Sequence, residues 1–203
     1  MNARDEIARQ LQDAARLHAE LPSRVIDLIA QAGERMAHAL RAGRKIIWFG
    51  NGGSATQSQH MAAEFVGRFQ QERRSLPSIS LTENMASVTA IGNDYAFDLI
   101  FARQLQGLAQ SGDVAIGLST SGNSPNVLKA LRAARELRVA TIGLTGGSGG
   151  HMAALCDVCL CVPSQVTARI QEVHLTIGHL LCGYVESALV DSLGTPARQP
   201  QSS

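Results

Sequence analysis

Lys45 to Phe69, KIIWFGNGGSATQSQHMAAEFVGRF, is the stretch on which the fold turns. A short apolar run, Ile46 to Phe49, breaks at Gly50-Asn51-Gly52-Gly53, and Ser54 opens a segment with apolar residues at helical spacing, Ala55, Met61, Ala62, Phe65 and Phe69. The pattern is strand, tight turn, helix. Glycines in such a turn admit positive φ and close approach of a ligand, and Ser54 is placed to cap a helix whose free N–H groups and positive dipole end attract an anion. The turn therefore suggests a phosphate. His60 and Glu64 stand at i and i+4, so both leave one face of that helix as a candidate metal or acid/base pair. The same spacing also suits an ordinary solvated surface pair. Gly50, Gly52 and Ala55 fit the loose pattern G-x-G-x-x-G/A as well, which makes a dinucleotide cofactor a competitor.

Before this stretch, residues 3–19 place Ile7, Leu11, Ala14, Ala15 and His18 at helical spacing, and a second amphipathic helix starts at Pro22 and Ser23 and ends at Gly43. A minimal βαβ unit needs neither helix, so the pair is expected to shield the sheet or to pack on another subunit. After it, Gln70 to Ser75 reads as a loop, Leu76 to Leu81 as a short strand, and Thr82 to Ile91 as a helix capped by Thr82 or Asn84. Gly92-Asn93-Asp94-Tyr95 follows as a turn cluster, with Asp94 either a ligand residue or the cap of a helix from about 97 to 109.

Asp113 to Leu118 is a third strand, and it runs into Ser119-Thr120-Ser121-Gly122-Asn123-Ser124-Pro125. Hydroxyls, an amide and backbone N–H groups converge there at a helix that proline starts, which is the pattern of a phosphate site. No lysine stands in the Walker position, so a phosphomonoester is favoured over a nucleoside triphosphate. Helix 127–138, strand 139–144, a glycine-rich turn 146–150, strand 158–162 and a long helix 167–191 complete the order. Strands alternating with helices call for a parallel sheet with helices on both faces, and ligands bind such sheets outside the strand C-termini. Gln171 and His179 on the last helix are about 80° apart in direction at 3.6 residues per turn, so they can serve one face, although a core histidine is the plainer reading.

The chain has 203 residues, 45% of them hydrophobic and 17% charged, which suits one α/β domain over residues 1–193. The tail from Gly194 to Ser203 lacks core-forming residues and is expected to be disordered. A formal net charge of +1 gives no broad case for nucleic acid. No apolar run is long enough to span a membrane and the N-terminus is charged, so the expectation is a soluble cytoplasmic protein. Cys156, Cys159 and Cys161 form C-x-x-C-x-C, but the last two alternate with Leu160 and Val162 in a strand-like run and read as small core hydrophobes.

Taken together, GNGGSA, the H-x-x-x-E of His60 and Glu64, SVTAIGND, GLSTSGNSPNVLKAL and ARIQEVHLTIGHLLC closely resemble the sugar isomerase (SIS) family, over residues 5 to 190. The resemblance implies a flavodoxin-like three-layer sheet, a homotetramer with sites at subunit interfaces, and one zinc per subunit held by His60, Glu64, Gln171 and His179. It implies sugar-phosphate contacts from Asn51, Gly52, Gly53, Asn93, Asp94, Ser119, Thr120, Ser121, Ser124 and Gln171, with Glu64 and His179 carrying protons. The implied reaction converts sedoheptulose 7-phosphate to D-glycero-D-manno-heptose 7-phosphate, the entry to ADP-heptose and lipopolysaccharide. Ala168 stands before Arg169 where some members have an aspartate, so any role of that carboxylate is absent or met elsewhere. Two other classes share this fold. One is a non-catalytic protein that binds the replication initiator, the other a regulator that binds a phosphosugar. The presence of both Glu64 and His179 favours the isomerase. A dinucleotide oxidoreductase fits least, because Glu72 falls in a loop and Glu83 comes late for the acid that would hold a ribose.

Overall fold

Ile46, Ile47, Trp48 and Phe49 are all fully buried, as a strand covered on both faces must be. Alternation divides them: Ile46 and Trp48 join one apolar cluster, Ile47 and Phe49 the other. The structure, a computed structural model, describes residues 2–193. The expectation about the tail falls on residues outside that range.

Five strands, β1 (Ile46–Gly50), β2 (Ser78–Ser80), β3 (Val114–Ser119), β4 (Ala140–Gly146) and β5 (Val158–Val162), form one sheet in the order β2-β1-β3-β4-β5. Every pairing is parallel, with Gly50 opposite Leu118 and Ser119 opposite Thr145. This is the flavodoxin-like order, whose switch point lies between β1 and β3. Among the described residues there are seven α-helices, α1 (Ala3–Ala19), α2 (Ser23–Arg41), α3 (Gly53–Val66), α4 (Met85–Asp94), α5 (Ile100–Leu108), α6 (Pro125–Glu136) and α7 (Thr167–Leu193). The layer of α2, α3 and α7 buries Val25, Met36, Met61, Phe65, Val173 and Leu181 against one face. The other face takes Phe101 and Leu105 of α5 and Val127 and Leu131 of α6. None of the described helices is long and apolar enough to cross a membrane.

The N-terminal helices separate in role. α2 buries eight residues and shields the sheet, whereas α1 buries none and leaves Ile7 and Leu11 more than half exposed.

Several local expectations are corrected. Ser54 is not the cap of α3; the cap position falls to Gly52, whose φ of +55° only glycine adopts cheaply, so the helix begins earlier and Ser54 is buried in its first turn. Phe69 lies beyond α3, which Gly67 ends. β2 is shorter than expected because it is an edge strand that follows Pro77, which has no N–H to give to a ladder. Asn84 caps α4 by accepting the Ser87 N–H at 3.0 Å. The helix then continues through Gly92 and Asn93 to Asp94, so that cluster is the last helical turn, not a loop. Asp94 consequently caps nothing; the next segment is a 3-10 turn at Phe97–Leu99 that runs into α5 with no side-chain cap. Cys159 and Cys161 are half-buried on the less covered face of edge strand β5, their sulfurs 3.8 Å apart, so they are not core residues; only Cys182 is buried.

His174 of α7 is a core histidine satisfied on one side only. Nε2 lies 3.2 Å from the Thr145 carbonyl, while Nδ1 has no partner. Burial pushes its pKa down to about 4, against a weaker upward pull from that hydrogen bond. A depressed histidine pKa means that the unfolded chain takes up the proton first. Stability is therefore full above about pH 6.5 and is lost as the pH falls toward 4, by on the order of 2–3 kcal/mol. Melting temperatures measured from pH 7.5 to 4.5 should show that loss, and His174→Gln should flatten the slope.

Candidate active site

Two helix starts meet at the switch point. The β1–α3 turn carries Asn51, Gly52 and Gly53, and the β3–α6 turn carries Ser119 to Ser124, with Ser124 at the N-cap of α6 and Pro125 at its first position. A reciprocal amide pair ties them: the Asn51 Nδ2 donates to Asn126 Oδ1 and the Asn126 Nδ2 to Asn51 Oδ1, each at 2.8 Å. Asn51, expected to contact substrate, thus has its side chain engaged in holding the two turns together.

In the second turn the hydroxyls converge. Ser119 Oγ lies 2.9 Å from Ser124 Oγ and 3.5 Å from Ser121 Oγ, and the Asn123 N–H donates to Ser121 Oγ at 3.2 Å. Thr120 accepts the Gly146 N–H through its carbonyl. The glycine-rich turn after β4 is the support for this loop. Gly122 has φ +67°, and a Cβ there would sit 2.1 Å from the Gly149 carbonyl oxygen. Asn123 Oδ1 accepts the His151 N–H at 3.0 Å and meets its Nδ1 at 2.7 Å. Beneath the loop, Thr145 Oγ1 is buried without a hydrogen-bond partner.

α3 and α7 lie side by side and run the same way: Gly53 faces Gln171, Met61 faces Gly178, and His60 faces His179. Along this seam His60, Glu64 and His179 each offer a donor atom, all within 4.8 Å of one another. His60 Nε2 lies 3.0 Å from Glu64 Oε1. The His179 ring is held edge-on by His60, with centroids 5.2 Å apart, and stacked by Phe69 at 5.4 Å and 16°. Two imidazole nitrogens and a carboxylate oxygen at this spread are a donor set suited to a divalent cation such as zinc, with positions left open for substrate oxygens.

Gln171, expected as a fourth ligand, stands elsewhere along the seam. Its side-chain amide packs against Gly53, where a Cβ would lie 2.7 Å from Nε2, and its backbone carbonyl accepts from Gln57 Nε2 at 2.7 Å. Gly53 precedes His60 by seven residues, or about 10 Å along the helix. Asn93 and Asp94 occupy the exposed end of α4 and hydrogen-bond to each other at 2.8 Å. Among the described residues neither hydrogen-bonds to the serine loop or to the histidines.

Sequence reading missed the groups that fix the far end of the seam. Glu186 of α7 accepts the N–H groups of Phe69, Gln70 and Gln71 at 2.8, 2.9 and 3.0 Å, and Arg73 Nε at 3.0 Å. Burial pushes the Glu186 carboxyl up, but those N–H groups and the Arg73 charge outweigh it and hold it below the usual carboxylate range. No spacing rule links positions 73 and 186.

The SIS domain family model matches residues 10–146. A phosphoheptose isomerase of Nitratidesulfovibrio vulgaris is 54% identical over 167 residues, 82% of this chain and 80% of the relative. Another from Solidesulfovibrio magneticus is 52% identical over 95% of this chain and 94% of its own. The solved phosphoheptose isomerase of Neisseria gonorrhoeae superposes with a TM-score of 0.87 at 40% identity, covering 92% of this chain and all of that one. The chain belongs to the SIS domain family, among its phosphoheptose isomerases.

Proposed function

We propose that the chain isomerises sedoheptulose 7-phosphate to D-glycero-D-manno-heptose 7-phosphate. The observation that carries this is the meeting of Glu64 with His60 and His179 on the α3–α7 seam of a phosphosugar-isomerase fold. Ketose-to-aldose conversion removes a proton from C1, passes through an enediol and returns a proton to C2. Glu64 is the one carboxylate in the cluster, and we assign it that transfer; His179 moves the proton between the two oxygens. A divalent cation on His60, Glu64 and His179, zinc in our reading and one per subunit, would supply polarisation of the sugar carbonyl.

Ser119, Thr120, Ser121 and Ser124 hold the phosphate, with the N-terminus of α6 behind them. Gly52 and Gly53, open at the start of α3, and the Gln171 amide beside them contact the sugar, as do Asn93 and Asp94. We assign Gln171 to substrate and not to the cation because it faces Gly53. Anchoring the phosphate end orients C1 and C2 for proton transfer.

The product is the first intermediate toward ADP-heptose, made in the cytoplasm. A single domain over residues 1–193 forms a homotetramer, a reading supported by the open apolar face of α1. Light scattering should give four times the chain mass, and deletion of residues 1–20 should lower the oligomeric state or solubility.

The activity is tested by a coupled assay of the purified protein with sedoheptulose 7-phosphate. The phosphate site is tested separately. Ser121→Ala combined with Ser124→Ala should raise KM at least as much as it lowers kcat, and weaken a phosphorylated inhibitor about tenfold or more, as loss of two hydrogen bonds to a charged group would. Unchanged inhibitor affinity would remove the loop from phosphate binding.

A further inference from the structure

Glu186 and Arg73 are nearly solvent-free, with side-chain exposures of 2% and 4%. Burying two charges is expensive, and such a pair is weak evidence for stability in itself. Its placement gives it another use. Arg73 donates to the carbonyls of Glu64, Phe65 and Gly67, at the end of the helix that carries His60 and Glu64. Glu186 stands on α7 seven residues past His179 and takes three successive N–H groups, beginning with that of Phe69. The Phe69 ring then lies flat on His179, opposite the edge contact from His60.

We propose that Glu186, Arg73 and Phe69 form a positioning unit for His179. The ion pair fastens the end of α3 to α7 and fixes the backbone of Phe69, whose ring sets the plane of the imidazole. Outer groups that fix the plane of a ligand histidine are worth 10- to 100-fold in metal affinity or rate in other proteins. Here that task falls to an aromatic face held from behind by a carboxylate. Glu64 is served by the same device, since Arg73 Nη2 donates to the Glu64 backbone carbonyl at 2.8 Å and so fixes the helix end that carries it. The inference rests on the reading of His60, Glu64 and His179 as the reaction centre.

The test uses the full chain with Phe69→Leu, which keeps an apolar residue but removes the flat face, and Phe69→Tyr, which keeps it. Melting temperature, Zn2+ affinity by chelator competition, kcat and KM are measured for each. Phe69→Leu is expected to melt within a few degrees of wild type with KM within twofold, yet to bind Zn2+ 10- to 100-fold more weakly and to lose kcat by a similar factor; Phe69→Tyr should restore both. Glu186→Gln should reproduce the metal defect with an additional loss of melting temperature. Wild-type Zn2+ affinity in Phe69→Leu would overturn the proposal, and so would a defect that tracks melting temperature and is not restored by tyrosine. If the wild-type chain fails to turn over the heptose phosphate, the functional reading falls, while the Zn2+ comparison still decides the positioning role.

Discussion

Glu64→Gln is expected to lower kcat by about 10²–10⁴-fold, the range for loss of a general base, even after metal is restored. The amide keeps the size and most of the packing of the carboxylate, which is only about a quarter exposed beside His60. It cannot accept the C1 proton. If Glu64 served the cation alone, bound metal and activity would fall in parallel and excess zinc would partly restore both. If it also carries the proton, the metal-replete variant stays nearly inactive. The second outcome is the one the account predicts. Bound zinc and exchange of the substrate C1 hydrogen with deuterated water, measured for Glu64→Gln and His179→Ala, separate the cases. Wild-type exchange in metal-replete Glu64→Gln would take Glu64 out of the proton transfer.

The second large effect is expected from one methyl group. In Gly122→Ala the new Cβ meets two penalties: a φ of +67°, and a carbonyl oxygen of Gly149 at 2.1 Å. Left-handed backbone costs an L residue about 1–2 kcal/mol, and overpacking against a partner that cannot swing aside about 1–3 more. The partner here is backbone, and Thr145 Oγ1 at 2.9 Å closes a second side. The loop must lift away, taking Ser121 and Asn123 with it. A loss of about 2–5 kcal/mol should appear in thermal melts, accompanied by a collapse in affinity for a phosphorylated inhibitor. Gly107→Ala is the control: it lies within α5 with nothing within 4 Å of its Cβ, so it should be neutral or stabilise by up to about 1 kcal/mol.

The contrast between those glycines shows what the sequence can carry. The β1–α3 and β3–α6 connections were legible because apolar strand, small-residue turn and amphipathic helix follow one another within a few positions. His60 with Glu64 was legible for the same reason, as a spacing on one helix. Gly92 to Asp94 misled, since residues that favour turns in isolation are carried here as the last turn of a helix whose start Asn84 fixes. Ser54 misled because the backbone at Gly52 set the helix start before any hydroxyl could. The Asn51–Asn126 pair and the Arg73–Glu186 pair left no local trace, joining positions 75 and 113 residues apart. The split between Gln171 at the glycine turn and His179 beside His60 and Glu64 depends on how two helices lie along each other, which neither helix encodes alone.

The most direct measurement is the conversion itself, run in deuterated water. Purified full-length protein, loaded with zinc, is given sedoheptulose 7-phosphate and followed by NMR. The account predicts growth of the aldose heptose 7-phosphate with deuterium at C2, and deuterium at C1 of the remaining ketose, because the proton passes through a side chain open to solvent exchange. A metal-loaded protein that binds the sugar phosphate yet yields neither the aldose nor exchange at C1 would contradict it.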